Sequence, residues 1–162
     1  MVSLEEILLT LKGITISSEG RRLSKELLEL NRNTVSVGFQ QGSTYPDGTE
    51  VVDVAAWNEF GTSTIPQRPF MRNTLDNNED DIRSFVSQQV QSVVNGGTAE
   101  DALKQTGIYV KGLMQEEIRN GSFTPNAPST IAKKGSSKPL IDTGLMRQSV
   151  NYQVRKKGSG NS

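Results

Sequence analysis

The segment from Val54 to Arg72 (VAAWNEFGTSTIPQRPFMR) limits the fold of this chain more than any other. It contains the only Trp, two of the five Phe and two of the six Pro. The spacing of its first apolar residues predicts a short helix over residues 54–59. The pair Phe60-Gly61 should end that helix, because glycine adopts left-handed backbone angles at little cost.

Two prolines give the second half of this segment an extended backbone. Pro66 and Pro69 each disfavour a helical conformation for the residue before them. We therefore predict a stiff connection that directs Arg68 and Phe70 outward at the start of a long helix. With an aromatic residue on each side, we interpret this connection as a packing centre of the core, since large apolar side chains are mostly buried.

Composition indicates one domain over residues 1–162 with a modest core. The length is sufficient for a hydrophobic core, yet apolar residues make up only 33% of the chain and the mean hydropathy is −0.48. Lys plus Arg and Asp plus Glu number 18 each. This balance excludes a strong overall field that would attract nucleic acid or an anionic membrane.

The chain has no Cys and no His, which argues against catalysis. It lacks thiolate nucleophiles, zinc–thiolate sites and the commonest general base. We expect no enzyme activity, no cofactor and no metal site. The start MVSLEEILLT is acidic where a signal peptide is basic, and no apolar run approaches a membrane span. We expect a soluble protein made in a cytoplasm.

The N-terminal part, residues 1–32, is predicted to be helical. Ser3 and Glu6 fit a capping box, and residues 14–20 fit either a strand or a loop. Apolar residues at 4, 7, 8 and 11, and leucines at 23, 27 and 30, recur at helical spacing. We interpret both stripes as core faces, with a partner-binding helix as the alternative.

Two alternating segments predict the sheet. Residues 34–39 (TVSVGF) alternate apolar and small or polar side chains, and residues 150–155 alternate in the same way within a second strand predicted near 148–155. Their simplest arrangement is an antiparallel pair. Between them, Gly-rich residues 40–49 predict a projecting loop and residues 50–53 a short strand. The fold class is therefore α+β, with a small antiparallel sheet packed against long helices.

The middle of the chain predicts a helical hairpin. One apolar face runs from Met71 to Val93, interrupted by the acidic run 76–81, and a second helix starts at Thr98 and ends near residue 120. The joining Asn-Gly-Gly favours antiparallel packing. We interpret the acidic run as a solvated face, because it lacks the spacing of a calcium loop.

Residues 122–138 form a polar, low-complexity segment. It contains the locally basic Lys133, Lys134 and Lys138. A flexible loop is one interpretation, and a contact arm that orders on a partner is the other. After it, Asp142 or Thr143 is expected to cap a short helix through Arg147, and residues 156–162 are expected to fray.

The motifs VSVGF, AAWNEFGT, IPQRPFMR and NAPSTIAKKGSSKPLIDTGLMRQSV occur in an order that resembles a tailed-bacteriophage morphogenesis family. Its members are tail-completion, neck or head–tail joining proteins and minor tail components. The resemblance extends from about Thr34 to Val154, whereas residues 1–32 are similar only in being helical. The Trp-Asn before Glu-Phe-Gly departs from the small hydrophobe followed by His or Asn that the family leads us to expect.

The resemblance implies a ring, commonly sixfold, between the tail and the head connector, in the virion. It implies no catalytic residues. The partners would be copies of this chain, head connector or adaptor proteins, and tail-tube or tail-terminator proteins, with non-specific contact to DNA in the lumen and no membrane. Loops 40–49 and 122–138 would meet the neighbours, through Tyr45, Asp47, Lys133, Lys134 and Lys138. The motifs place fold and interface positions at Trp57, Glu59, Phe60, Gly61, Pro66, Arg68, Pro69, Phe70, Asp142, Thr143, Gly144, Leu145 and Arg147.

Three alternatives remain open. Within the structural class, the chain could instead be a tail-tube terminator or another minor tail protein. Asp142-Thr143-Gly144 resembles the motif of aspartic proteases, where paired aspartates activate water, but it also fits a helix start. A nucleic-acid-binding module is the third, although no basic face or binding motif supports it.

Overall fold

The computed structural model describes residues 16–135, 139–140 and 144–158. These residues form seven helices and one two-stranded sheet. In chain order the elements are α1 (Ser18–Arg32), β1 (Asn33–Gly38), α2 (Val51–Phe60), α3 (Phe70–Asn77), α4 (Glu79–Val94), α5 (Ala99–Asn120), α6 (Pro128–Lys134), α7 (Leu145–Ser149) and β2 (Asn151–Lys156).

The predicted strand pairing and the α+β class are confirmed. Strands β1 and β2 are antiparallel, with Asn33 opposite Lys156 and Gly38 opposite Asn151. The second strand begins later than the sequence indicated, because residues 145–149 form helix α7.

Helices α4 and α5 form the predicted hairpin. The rings of Phe85 and Tyr109 stack between them, with centroids 4.2 Å apart and planes 9° from parallel. The Thr98 side chain accepts a hydrogen bond from the backbone N–H of Asp101 at 3.2 Å, which caps α5 as expected. An aromatic pair thus joins the two helices, and such pairs stabilise a contact beyond the area that they bury.

Helix α5 is the central element of the fold. It contacts both strands and helices α1, α3, α4 and α7. Its buried side includes Gly107, which faces the ring of Tyr152 from β2, and Met114 and Ile118, which belong to the main core. The buried core residues are Val51, Ala55, Phe70, Met114, Ile118, Leu140, Met146 and Val150.

Helix α1 presents only part of the core face that its leucines predicted, since Leu23 and Leu30 are half-buried. It contains no fully buried residue, and the side chains of Leu27 and Leu28 are exposed. Polar contacts also hold the helix: Arg22 donates to the carbonyl oxygens of Gly97 and Val93, and Glu26 accepts from the backbone N–H of Ala99 at 2.7 Å. The earlier stripe, and the capping box at Ser3, lie outside the described residues.

The ambiguous segment 14–20 is helical from residue 18 onward. The Ser17 hydroxyl accepts from the backbone N–H of Gly20 at 3.0 Å and so begins α1. The short strand expected over residues 50–53 is wrong, because α2 starts at Val51 and only Glu50 bridges to Thr44.

The long helix expected from Met71 to Val93 is two helices. It breaks at Asn78, whose side chain donates to the carbonyl oxygen of Thr74 at 2.8 Å. Beyond the break, Val86 and Val90 are exposed rather than buried. The loop expected over residues 122–138 contains helix α6, with Pro128 at its first position.

Among the described residues, every helix is too short or too polar to span a bilayer.

Candidate docking cleft

One cleft of about 500 Å³ brings together several segments that the sequence singled out. Its walls come from the loop at residues 45–49, from α2, from the Pro66 connection and from the start of α6. Of the predicted contact and interface residues, Tyr45, Asp47, Trp57, Pro66 and Arg68 line it. Segments that are far apart in the chain thus share one concave surface, which makes the cleft the candidate site.

The loop at the rim is shaped by its own hydrogen bonds. Asp47 accepts from the backbone N–H of Thr49 at 3.0 Å, and the backbone N–H of Tyr45 donates to the Thr49 carbonyl at 2.9 Å. These are the local contacts expected of an Asp in a Gly-containing turn. The bond from Thr49 lowers the pKa of Asp47 below its ordinary value. The rim therefore carries a negative charge at neutral pH.

Arg68 is the buried charge of the cleft. Its side chain is 5% exposed, whereas the sequence predicted that it would point outward. The prediction is wrong because the connection folds back onto α2: the backbone N–H of Arg68 donates to the Asn58 carbonyl at 2.6 Å.

The guanidinium of Arg68 joins α2 to the segment before α6. It donates to Asn58 Oδ1 at 2.9 Å, to the Thr124 carbonyl at 2.8 Å, and to the Pro125 carbonyl and Asn126 Oδ1, both at 3.2 Å. Burial lowers the pKa of Arg68, but a guanidinium remains protonated in proteins. It makes no ion pair with an Asp or Glu of the described residues.

Phe70 is also buried rather than outward. Its ring is fully covered and meets Phe39 edge to face, with centroids 6.0 Å apart and planes at 81°. Phe70 therefore belongs to the core, which agrees with the interpretation of this connection as a packing centre. Pro69 stands at the cap position before α3.

Glu59 and Gly61 have structural roles next to the cleft. Both carboxylate oxygens of Glu59 accept backbone N–H groups at the start of α3. Gly61 has φ of 74°, and a Cβ there would lie 3.1 Å from the backbone nitrogen of Gln67. The sequence correctly placed a glycine turn here.

Trp57 and Phe60 are exposed, at 42% and 70%. The interpretation of these aromatics as core residues is therefore wrong. The inward face of α2 is occupied by Val51, Ala55 and Glu59, which leaves the other side of the helix toward solvent. The assignment of Trp57 and Phe60 as interface residues stays a prediction.

The C-terminal motif is described only in part. Gly144 has a left-handed backbone and precedes α7, and the Arg147 carbonyl accepts from Gln115 Nε2 at 3.1 Å. Lys133 and Lys134 end helix α6. Asp142, Thr143 and Lys138, with their predicted capping and contact roles, lie outside the described residues.

Sequence reasoning missed Asn58, Asn126 and Thr130 as parts of the site. Asn58 and Asn126 are buried and accept hydrogen bonds from Arg68, and Thr130 lines the same cleft. No local sequence pattern could have identified these two asparagines, because residues 58 and 126 are far apart in the chain and meet only in the folded structure.

The cleft combines a buried guanidinium, an acidic rim and apolar walls. Among the described residues, no group of three or more Asp or Glu side chains is placed to hold a metal ion. Comparison with known proteins adds no family: no protein-family model, curated protein or solved structure matches this chain.

Proposed function

We propose that this chain is a non-enzymatic structural protein of a tailed-bacteriophage virion. It forms a ring at the neck that completes the tail and joins it to the head connector, after synthesis in the host cytoplasm. The observation that carries the proposal is the exposure of Trp57 and Phe60, both in the AAWNEFGT motif on which the resemblance rests.

Two exposed aromatics one helical turn apart favour a protein partner. Residues three positions apart lie on the same side of a helix, so Trp57 and Phe60 form one surface on α2. Aromatic side chains are enriched at protein interfaces and dominate their energetics. A neighbouring protein that covered this surface would remove its apolar area from water, at roughly 25 cal/mol for each Å².

The sheet also favours assembly. In the part of the chain that the structure describes, β1 and β2 each pair with one strand only. A strand with one partner presents unpaired N–H and C=O groups along its other edge, and such edges are templates for another chain. A ring of copies would supply strands or loops to these edges.

The proposed mechanism is geometric. The sheet and the hairpin of α4 and α5 form the body of each subunit, while loops 40–49 and 122–138 contact the head connector on one side and the tail-tube or tail-terminator protein on the other. Equal numbers of acidic and basic residues provide no overall field that attracts lumenal DNA, and any contact with it would be non-specific.

Electron microscopy of lysates from a phage that lacks this chain tests the proposal. Filled heads beside unattached tails of normal length support a joining role. Tails of uncontrolled length would reassign the protein as a tail terminator, and normal infectious particles would overturn the proposal.

Complementation sharpens the same experiment. The wild-type chain should restore joined particles, whereas Phe60→Ser should not, although the isolated variant should keep its thermal stability. Ser63→Ala, an exposed change just after the same helix, is the matched control and should restore particles fully.

A further inference from the structure

The cleft at Arg68 contains a buried positive charge that the described protein does not neutralise. A guanidinium has five N–H hydrogens. Four hydrogen bonds are made, all to neutral oxygens of Asn58, Thr124, Pro125 and Asn126. Nη1 makes one of these bonds, to Asn58 Oδ1, and its second hydrogen has no acceptor among the described residues.

This arrangement favours an anionic ligand. Neutral acceptors orient the guanidinium but leave its charge buried and unpaired, which is costly in a protein interior. A carboxylate that entered the cleft would pair with an already oriented guanidinium through charge-assisted hydrogen bonds. The cost of ordering the Arg68 side chain has been met on folding, so more of the interaction energy is available for binding.

The walls of the cleft indicate what accompanies that carboxylate. Trp57, Ile65, Pro46 and Pro66 provide apolar surface beside Arg68. A volume of about 500 Å³ is in the range of binding pockets that are mostly apolar with few polar groups. The ligand should therefore combine an acidic group with adjacent apolar side chains.

We propose that this cleft binds an extended peptide segment of a partner protein, with an Asp or Glu side chain on Arg68 and a neighbouring apolar residue against Trp57. An α-helix with its side chains is about 10–12 Å across, so a narrower extended segment brings a single carboxylate closer to a buried group than a helix does. The densest acidic run of this chain, residues 76–81, lies on α3 and α4. A second copy is therefore a poorer occupant than a partner's extended segment. The inference goes beyond the proposed function, since it depends on the cleft alone.

Trp57 makes the test direct, because it is the only Trp of the chain and it lines the cleft. The full-length protein is titrated with the peptide acetyl-Leu-Asp-Pro-Leu-amide while the Trp57 fluorescence is recorded. The matched probe has Asn in place of Asp. We expect a saturable change with the Asp peptide, weakened by salt, and about tenfold weaker binding of the Asn peptide.

Two variants locate the binding site. Asp47→Asn removes the rim charge but keeps the oxygen that accepts from Thr49, so it should bind the acidic peptide about twofold more tightly at low salt. Arg68→Lys keeps the positive charge but loses the planar guanidinium with its several fixed N–H donors, and should weaken binding of the acidic peptide severalfold. If Arg68→Lys does not fold, the comparison of the Asp and Asn peptides on the wild-type protein still tests whether the cleft binds a carboxylate.

Three results would overturn the inference. These are equal binding of the two peptides, no saturable response up to about 10 mM peptide, or unchanged affinity in both folded variants. Sedimentation tests the source of the segment: if the Asp peptide dissociates oligomers of the free protein, a second copy occupies the cleft and the assignment to a partner protein is wrong.

Discussion

Glu59 on α2 accepts a hydrogen bond from the backbone N–H of Met71, at the first turn of α3, over 2.8 Å. Its second oxygen accepts from the backbone N–H of Arg72 at 3.3 Å. The N-terminal cap residue of α3 is Pro69, which makes no side-chain cap. A carboxylate from the preceding helix therefore satisfies two of the N–H groups that a helix start leaves unpaired.

Because Glu59 caps α3, we expect that its removal destabilises the protein. Glu59→Ala should lower the free energy of unfolding by about 1.5–3 kcal/mol, because hydrogen bonds to a charged acceptor are lost and buried N–H groups stay unpaired. Urea denaturation measures this. Glu100→Ala, an exposed carboxylate in the first turn of α5, should change the value by less than about 0.5 kcal/mol, and equal effects at both positions would contradict the capping role.

Two phenylalanines at the ends of one connection should behave oppositely. Phe70 is fully buried and Phe60 is 70% exposed. We expect Phe70→Ala to destabilise the monomer by about 3–5 kcal/mol and Phe60→Ala to leave its stability within about 0.5 kcal/mol. Thermal and chemical denaturation of both variants check this. Unchanged stability in Phe70→Ala would refute the core assignment.

Helix α5 offers a matched pair of glycines. Glycine in a helix interior is usually less favourable than alanine by about 1 kcal/mol. At Gly112 a Cβ would meet nothing within 4 Å, so Gly112→Ala should stabilise the protein. At Gly107 a Cβ would overlap the ring of Tyr152, and Gly107→Ala should destabilise it by about 1–3 kcal/mol. Urea midpoints that move in the same direction for both would contradict the close contact between α5 and β2.

The loop at the cleft rim should depend on pH in the acid range. Because the hydrogen bond from Thr49 lowers the pKa of Asp47, the contribution of this carboxylate to stability is present above its ordinary pKa of about 3.9. That contribution is lost as the pH falls through the lower pKa of the folded state. A carbon-13 NMR titration of the Asp47 carboxyl group should give a midpoint below the ordinary value. A midpoint at or above it would contradict the turn geometry.

The basic end of α6 gives a prediction about assembly. Lys133→Ser with Lys134→Ser should leave the thermal unfolding temperature unchanged and lower the yield of joined particles in complementation. The matched control is Lys25→Ser with Lys104→Ser, two exposed lysines on α1 and α5. Normal particle yield from the first variant would argue against a contact arm at residues 122–138.

Much of the secondary structure followed from the sequence, because the relevant signals are local. The hairpin of α4 and α5 was indicated by helical spacing, an Asn-Gly-Gly turn and the Thr98 cap, each of which acts over a few residues. The pairing of β1 with β2 followed from two alternating segments and the absence of a simpler partner. Apolar residues that recur every two positions in a strand, or about every four positions in a helix, indicate which side of that element is apolar.

The burial of individual side chains was decided only by the tertiary structure. Arg68 and Phe70 were expected to point outward and Trp57 to be buried, and these three expectations were wrong, although Phe70 does belong to the packing centre that the sequence predicted. The fold-back of the connection onto α2 buries the first two, and the inward face of α2 is already occupied, so Trp57 is exposed. The same fold-back brings Asn58 and Asn126 to one guanidinium and creates the cleft.

The sequence by itself thus determined the class of fold, the order of the central elements and the positions of the main turns, since these depend on short-range backbone preferences. Only the tertiary structure decided which aromatics face solvent and which charge is buried. Those outcomes depend on which distant segment covers each face, and hydrophobic burial is non-directional, so nothing in the local pattern specifies its partner.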